Sequence, residues 1–198
     1  KKHGHTASFG LPEAFLFLVG VNFWNFLGAG VLGFAINLPI VNYYQHGTYL
    51  TANHGHAALF GVYGNLAIAA MLFCGRWLVE PARWNARLLR TSFWSLNVGL
   101  LLMVVLDLFP VGVDQLLASM THGYAYARSE AYIGGATFQT YTWLRAVGVT
   151  IFVVGGMLPV AWFVVTRGRA LKAARPPGDA HSVPVTVLGH IGTPRGGR

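Results

Sequence analysis

Apolar residues run through this chain in four long blocks separated by short polar stretches. The blocks cover approximately residues 14–39, 54–75, 92–117 and 142–166. Each is long enough to cross a hydrocarbon layer, which takes about 20 helical residues. The period-two alternation of a membrane strand is missing, because the runs are continuous and dominated by Ala, Leu, Gly and Met. The pattern therefore predicts an all-α membrane protein with four transmembrane helices. Asn22, Asn25, Gly28, Gly30, Asn65 and Asn97 lie inside the blocks; they suit close helix packing and interhelical hydrogen bonds. Pro39, Pro110 and Pro159 fall near block ends, or kink a helix that continues past them.

Composition supports this reading. The chain of 198 residues is 54% hydrophobic and 10% charged, against about 25% charged in a soluble domain. No Asp, Glu, Lys or Arg occurs from Ala14 to Gly75, and no Glu is expected inside a span. The net charge of +8 does not point to nucleic acid, since the basic residues cluster between blocks and in the tail. Lys1, Lys2, Arg76, Arg83, Arg87, Arg90, Arg167, Arg169, Lys172, Arg175, Arg195 and Arg198 fall on one side of a four-span topology. Only Arg128 and Arg145 fall on the other. By the positive-inside rule both termini are cytoplasmic.

The chain then divides into a cytoplasmic start (1–13), a membrane part (14–166) and a basic, Pro/Gly-rich cytoplasmic tail (167–198) expected to be disordered. The opening "KKHGH" has no initiator Met and no signal pattern, and it reads as internal to a longer chain. The single cysteine, Cys74, excludes an internal disulfide and a multi-cysteine metal site, and reads as a small buried hydrophobe.

Candidate chemistry sits in "TANHGHAALFGVYG", Thr51 to Gly64, where His54 and His56 stand one glycine apart at the mouth of the second block. Residues two apart on a helix point about 200° apart, because each step turns about 100°. The pair cannot chelate one ion from a regular helix, but it can serve two partners on opposite sides. The rise between them is only about 3 Å, so those partners lie at nearly equal depth. Gly55 leaves room for bulky groups. A neutral imidazole is tolerable in a membrane when it ligates iron, and haem iron commonly takes a His axial ligand. The residues alone leave open a second reading, in which both rings bond loop carbonyls or water at the interface.

The surrounding words carry a family resemblance. "VNYYQHGTYLTANHGHAALFGVYGNLAIAAMLF" closely resembles the tenth-helix region of the catalytic subunit of respiratory nitric oxide reductases, in the haem–copper oxidase superfamily. "SFWSLNVGLLLMVVLDLFPVG", "HGYAYARS" and "WLRAVG" are similar to the same family, so the resemblance covers about residues 14–166. The uninterrupted "GHAALFGVYGNL" looks most like the single-chain, quinol-oxidising type. The resemblance implies that His54 is the proximal ligand of a high-spin haem b3 and His56 an axial ligand of a low-spin haem b. It also implies reduction of two NO to N2O and water at that haem facing a non-haem iron. The ligands of this second iron, three histidines and a glutamate, belong to earlier helices in the family. His3, His5, His46, His122, His181 and His190 are not placed to supply them. The chain thus looks like a carboxy-terminal fragment that packs against missing amino-terminal helices and is inactive alone. The implied setting is the lipid bilayer of a bacterial inner membrane, with quinol or cytochrome c as electron donor. Val149 stands where quinol-dependent relatives tend to carry an acidic residue, so the donor stays open.

Three further residues stand out. Arg145 and Arg128 are the only cations of the outer side, and Arg suits a haem propionate; Arg145 is the stronger candidate. Asp107 lies in the outer half of the third block, where a carboxylate is a functional suspect. Competing readings are an oxygen-reducing oxidase subunit I, a non-catalytic dihaem electron-transfer module, and a small channel or transporter. The dihaem module needs paired histidines repeated on two helices, and the transporter an inverted repeat; neither pattern is found.

Overall fold

The computed structural model describes residues 11–173, and these are almost entirely helical. Four long apolar helices are present: α1 (Pro12–Asn37), α3 (Tyr49–Leu78), α4 (Ala86–His122) and α6 (Ala136–Leu171). Two short helices, α2 (Pro39–Gln45) and α5 (Glu130–Ile133), lie in the connections at one end of the bundle.

Local chemistry sets the boundaries. Pro12 occupies the first turn of α1, where its missing N–H costs nothing, and Glu13 meets the positive end of the helix. The chain leaves α1 at Leu38 (ψ 126°) because a residue before proline is pushed out of the helical region; Pro39 then opens α2. Gly47, at φ +73°, makes the turn into α3. Thr48 caps α3 by accepting from the Leu50 N–H, and Asn85 caps α4 by accepting from the Leu88 N–H.

The last three spans exceed the apolar blocks, and the first is shifted, starting at Pro12 and ending at Asn37, short of the expected end at residue 39. The helices continue through polar flanks, so Glu13, expected outside the first span, lies in the first turn of α1. It is buried, with Arg90 at 3.0 Å and the Trp84 indole N–H donating to it at 3.2 Å. Likewise residues 167–173 of the expected tail continue α6, whose helix runs to Ala173, and the rest of the tail lies outside the described residues. Cys74, expected to be buried, is exposed on α3.

Each span contains a stretch of π-helix: Asn25–Leu32, Ala57–Gly64, Val104–Leu108 and Ile151–Met157. The last two immediately precede Pro110 and Pro159. A helical proline lacks an N–H and its ring crowds the carbonyl four residues back, which the wider turn accommodates. Both helices therefore run on past their prolines. The stretches in α1 and α3 have no proline and lie against each other; a methyl group on Gly28 would fall 2.4 Å from the Ala57 Cβ.

α1 packs on α3 and α4 on α6. A polar link joins the pairs: the Trp24 indole donates to the Asn97 side-chain oxygen at 2.8 Å, and Asn65 and Asn97 exchange amide contacts at 3.2 and 3.3 Å. This is the interhelical role the sequence predicts for Asn65 and Asn97. Around the link, one apolar cluster (with Phe17, Leu72 and Phe93) fills the end rich in Arg, and another (with Trp24, Leu100 and Leu108) fills the opposite half. Large apolar side chains such as Phe26, Phe34, Trp143 and Trp162 point outward, as on a surface facing lipid or other helices.

Candidate haem-ligating site

The first turns of α3 carry the site, and several contacts hold them in place. The Thr48 hydroxyl donates to the Gln45 carbonyl at 2.7 Å. The Tyr49 N–H donates to the Gln115 side-chain oxygen at 2.8 Å, and the Gln115 amide donates in turn to the Ala127 carbonyl at 3.1 Å. The entry of α3 is thereby fixed to α4 and to the loop beyond it.

From this base the two histidines face different ways. His54 turns toward α1, with Nδ1 2.9 Å from the Gly28 carbonyl oxygen. Gly33 lies under the same ring, where a Cβ would approach its Cε1 to 2.9 Å. His56 turns toward α4 and α6. Its ring lies beside Phe60, which packs on Phe152 of α6, and it is within electrostatic range of Asp107. Its Nδ1 is 2.8 Å from the Ala52 carbonyl oxygen. Gly55 between them meets nothing within 4 Å. The opposite-face geometry expected from the spacing is present.

A carbonyl oxygen only accepts, so each Nδ1 carries a proton, and Nε2 is the nitrogen that a neutral ring would offer to a metal. Metal-ligating histidines are commonly arranged so, with the far nitrogen fixed by a backbone carbonyl and the near one free. The residues present therefore fit two separate histidine ligands, each of which would offer Nε2. Among the described residues no three His, Cys, Asp or Glu side chains converge on one point.

Asp107 and Arg145, considered separately in the sequence, meet in the structure. The Arg145 Nη1 is 3.4 Å from an Asp107 carboxylate oxygen, and its guanidinium lies 5.8 Å from the centre of the Tyr49 ring. Asp107 is fully buried, and neither of its oxygens has a hydrogen-bond donor. Asn53, one helical turn before Ala57, was not singled out by sequence. It too is fully buried, with neither amide atom partnered. A buried polar group left without a hydrogen bond costs about 1–3 kcal/mol, which makes Asn53 conspicuous beside the histidines, whereas Asp107 has the Arg145 charge to offset its burial. For the Asp107–Arg145 pair, the available signal was two opposite charges in the corresponding halves of the third and fourth blocks, the halves nearer the connecting loop between them.

The other candidates sit elsewhere. Arg128 donates to the carbonyls of His46 and Tyr124 and stacks over the Tyr124 ring, so it clamps the connecting loops. The His122 ring lies against Tyr126 in the same loop region. Val149 is exposed on α6. His3, His5, His181 and His190 lie outside the described residues.

Four helices long and apolar enough to cross a bilayer define a helical membrane bundle. Residues 5–151 match the family of cytochrome c and quinol oxidase polypeptide I, and the chain belongs to this haem–copper oxidase subunit I family. It is also 30% identical over 171 residues to a nitric oxide reductase subunit of Stutzerimonas stutzeri. That match covers 84% of this chain and 35% of the relative, so the chain spans about a third of the length of the curated relative it matches.

Proposed function

We propose that this chain provides the two haem-ligating histidines of a respiratory nitric oxide reductase in a bacterial cytoplasmic membrane. In this reading His54 Nε2 binds the high-spin haem b3 and His56 Nε2 the low-spin haem b. Haem, when bound, supplies the redox iron through which electrons are delivered to substrate. The overall reaction takes two NO, two electrons and two protons to N2O and water. The non-haem iron and the second low-spin ligand come from helices outside these four spans, and the electrons from quinol or cytochrome c.

The chain's own residues have definable tasks. The Gly28 and Ala52 carbonyls hold the Nδ1 protons, which fixes each tautomer and makes the opposite nitrogen more basic. The two rings share one helix at a rise of about 3 Å, which makes a short route between their partners. Arg145 engages Asp107 through one nitrogen, and its remaining donors serve a propionate of the low-spin haem.

The observation that carries this reading is that His54 meets α1 through its Nδ1–Gly28 carbonyl contact while His56 lies beside Phe60, which packs on Phe152 of α6. Electron paramagnetic resonance on two variants of the assembled enzyme tests it. His56→Ala should remove the low-spin bis-histidine signal and leave a high-spin haem. His54→Ala should do the reverse and abolish NO reduction. Loss of both signals in either folded variant, or of neither, would reject the assignment. The family's breadth favours one alternative, an oxygen-reducing oxidase subunit I; oxygen uptake without N2O formation would establish that reading instead.

A further inference from the structure

The end of the bundle away from the histidines carries a second feature. A cavity of about 170 Å³ opens between the end of α3 and the end of α6, lined by Leu78, Val79, Glu80, Arg83, Arg167 and Leu171. Its walls are of two kinds: aliphatic side chains, and two arginines from different segments of the chain. Arg167 sits in the last turns of α6, and its guanidinium lies 5.7 Å from the Phe163 ring centre. Its Nε is buried without a protein acceptor. Arg83 is held by Glu80 through Nε at 3.2 Å, which leaves its terminal nitrogens unengaged by that pair. Beside the cavity, Arg76 stacks on Trp84, and Trp84 packs edge-on against Phe163. Trp77 and Leu78 are strongly exposed at the same level.

This level is where α3 and α6 leave the apolar layer, since both spans end there, at Leu78 and Leu171. Guanidinium groups at the ends of two spans, one in the last turns of α6 and one just past α3, beside exposed aromatic and aliphatic side chains, match the two halves of an anionic phospholipid. Arginine binds phosphate oxygens through its fork of N–H groups, whereas the adjoining apolar wall takes acyl chain. We infer that the cleft between the ends of α3 and α6 is a binding site for one anionic phospholipid headgroup, held by Arg83 and Arg167. Glu80 opposes this charge only in part, because it is exposed and already paired with Arg83. The site lies at the opposite end of the spans from His54 and His56, and it stands independently of the haem assignment.

Native mass spectrometry of the whole protein, released from vesicles of phosphatidylethanolamine with a minor share of phosphatidylglycerol, reads this directly. The wild-type protein should retain one tightly held phosphatidylglycerol that resists delipidation. Arg83→Gln with Arg167→Gln should lose it, with retention falling at least tenfold. Arg169→Gln, which removes an equal charge from the same helix end, should keep it. Circular dichroism and size-exclusion profiles establish that each variant is folded, and the single Arg167→Lys variant serves if the double one is not. That lysine keeps the charge but not the fork, and should retain the lipid only weakly. Equal retention in the folded double variant and wild type, or in Arg167→Lys and wild type, would overturn the site. So would loss with Arg169→Gln, which would mean general surface charge. Displacement by millimolar inorganic phosphate would assign the cleft to a soluble anion instead.

Discussion

Asp107 and Arg145 show how much a single residue's meaning depends on its neighbours. Alone, each is an expensive charge near a membrane; together they form a pair whose negative member is fully buried and whose positive member reaches toward Tyr49 and the His56 side of α3. Breaking one half leaves the other uncompensated. Arg145→Leu should therefore lower the midpoint potential of the haem assigned to His56, because a positive charge favouring the reduced state is gone. Asp107→Asn should raise it. Across about 10 Å at an effective dielectric of about 20, one charge is worth about 1–2 kcal/mol, or several tens of millivolts for one electron. The double variant should return close to wild type if the two act as one neutral unit. Spectroelectrochemical titration gives all three values, and shifts of the same sign in the two single variants would sink this account. Sequence exposed the histidines and both charges, because such residues are rare inside apolar blocks. It did not expose their pairing, nor Asn53, since an asparagine among apolar residues reads equally well as a packing residue.

At the scale of elements, the four spans were legible because a long apolar run has few alternatives in a bilayer. Their ends were not. Glu13, residues 49–53 and residues 167–173 are too polar to count as hydrocarbon-spanning, yet continue the same helices. The π-helical stretches escaped as well, because outside the two proline sites they reflect how α1 and α3 fit together. That fit is tight at Gly28, whose carbonyl receives the His54 Nδ1 proton and whose Cα lies under Ala57. Gly28→Val should force α1 and α3 apart, at an overpacking cost of about 1–3 kcal/mol. It should also break the His54 contact while leaving the His56–Ala52 contact alone. The expected result is selective loss of the high-spin haem with the low-spin spectrum retained. Gly64→Ala, where the nearest atom to the new methyl is 3.7 Å away, should be close to neutral. Equal loss of both haems in Gly28→Val would mean that the α1–α3 contact supports the bundle as a whole and not His54 in particular.

At the scale of the molecule, the charge pattern becomes a statement about direction. Among the described residues, Arg76, Arg83, Arg87, Arg90, Arg167 and Arg169 gather at the end where α3 and α6 finish and α4 begins. Arg128 and Arg145 stand toward the other end, and both are engaged by protein groups. Positive charge resists translocation, so the Arg-rich end should face the cytoplasm and the His54–His56 layer should lie toward the outer face. Accessibility labelling settles this once Cys74, which is exposed, is replaced by serine. In that background Ala173→Cys, at the end of α6, should be protected from a membrane-impermeant thiol reagent in intact spheroplasts and react after lysis. Ala131→Cys, exposed in the loop helix α5, should react without lysis. The reverse pattern would invert the bundle. It would also put the cleft of Arg83 and Arg167 in the outer leaflet, so one labelling experiment fixes which leaflet's lipids that site can sample.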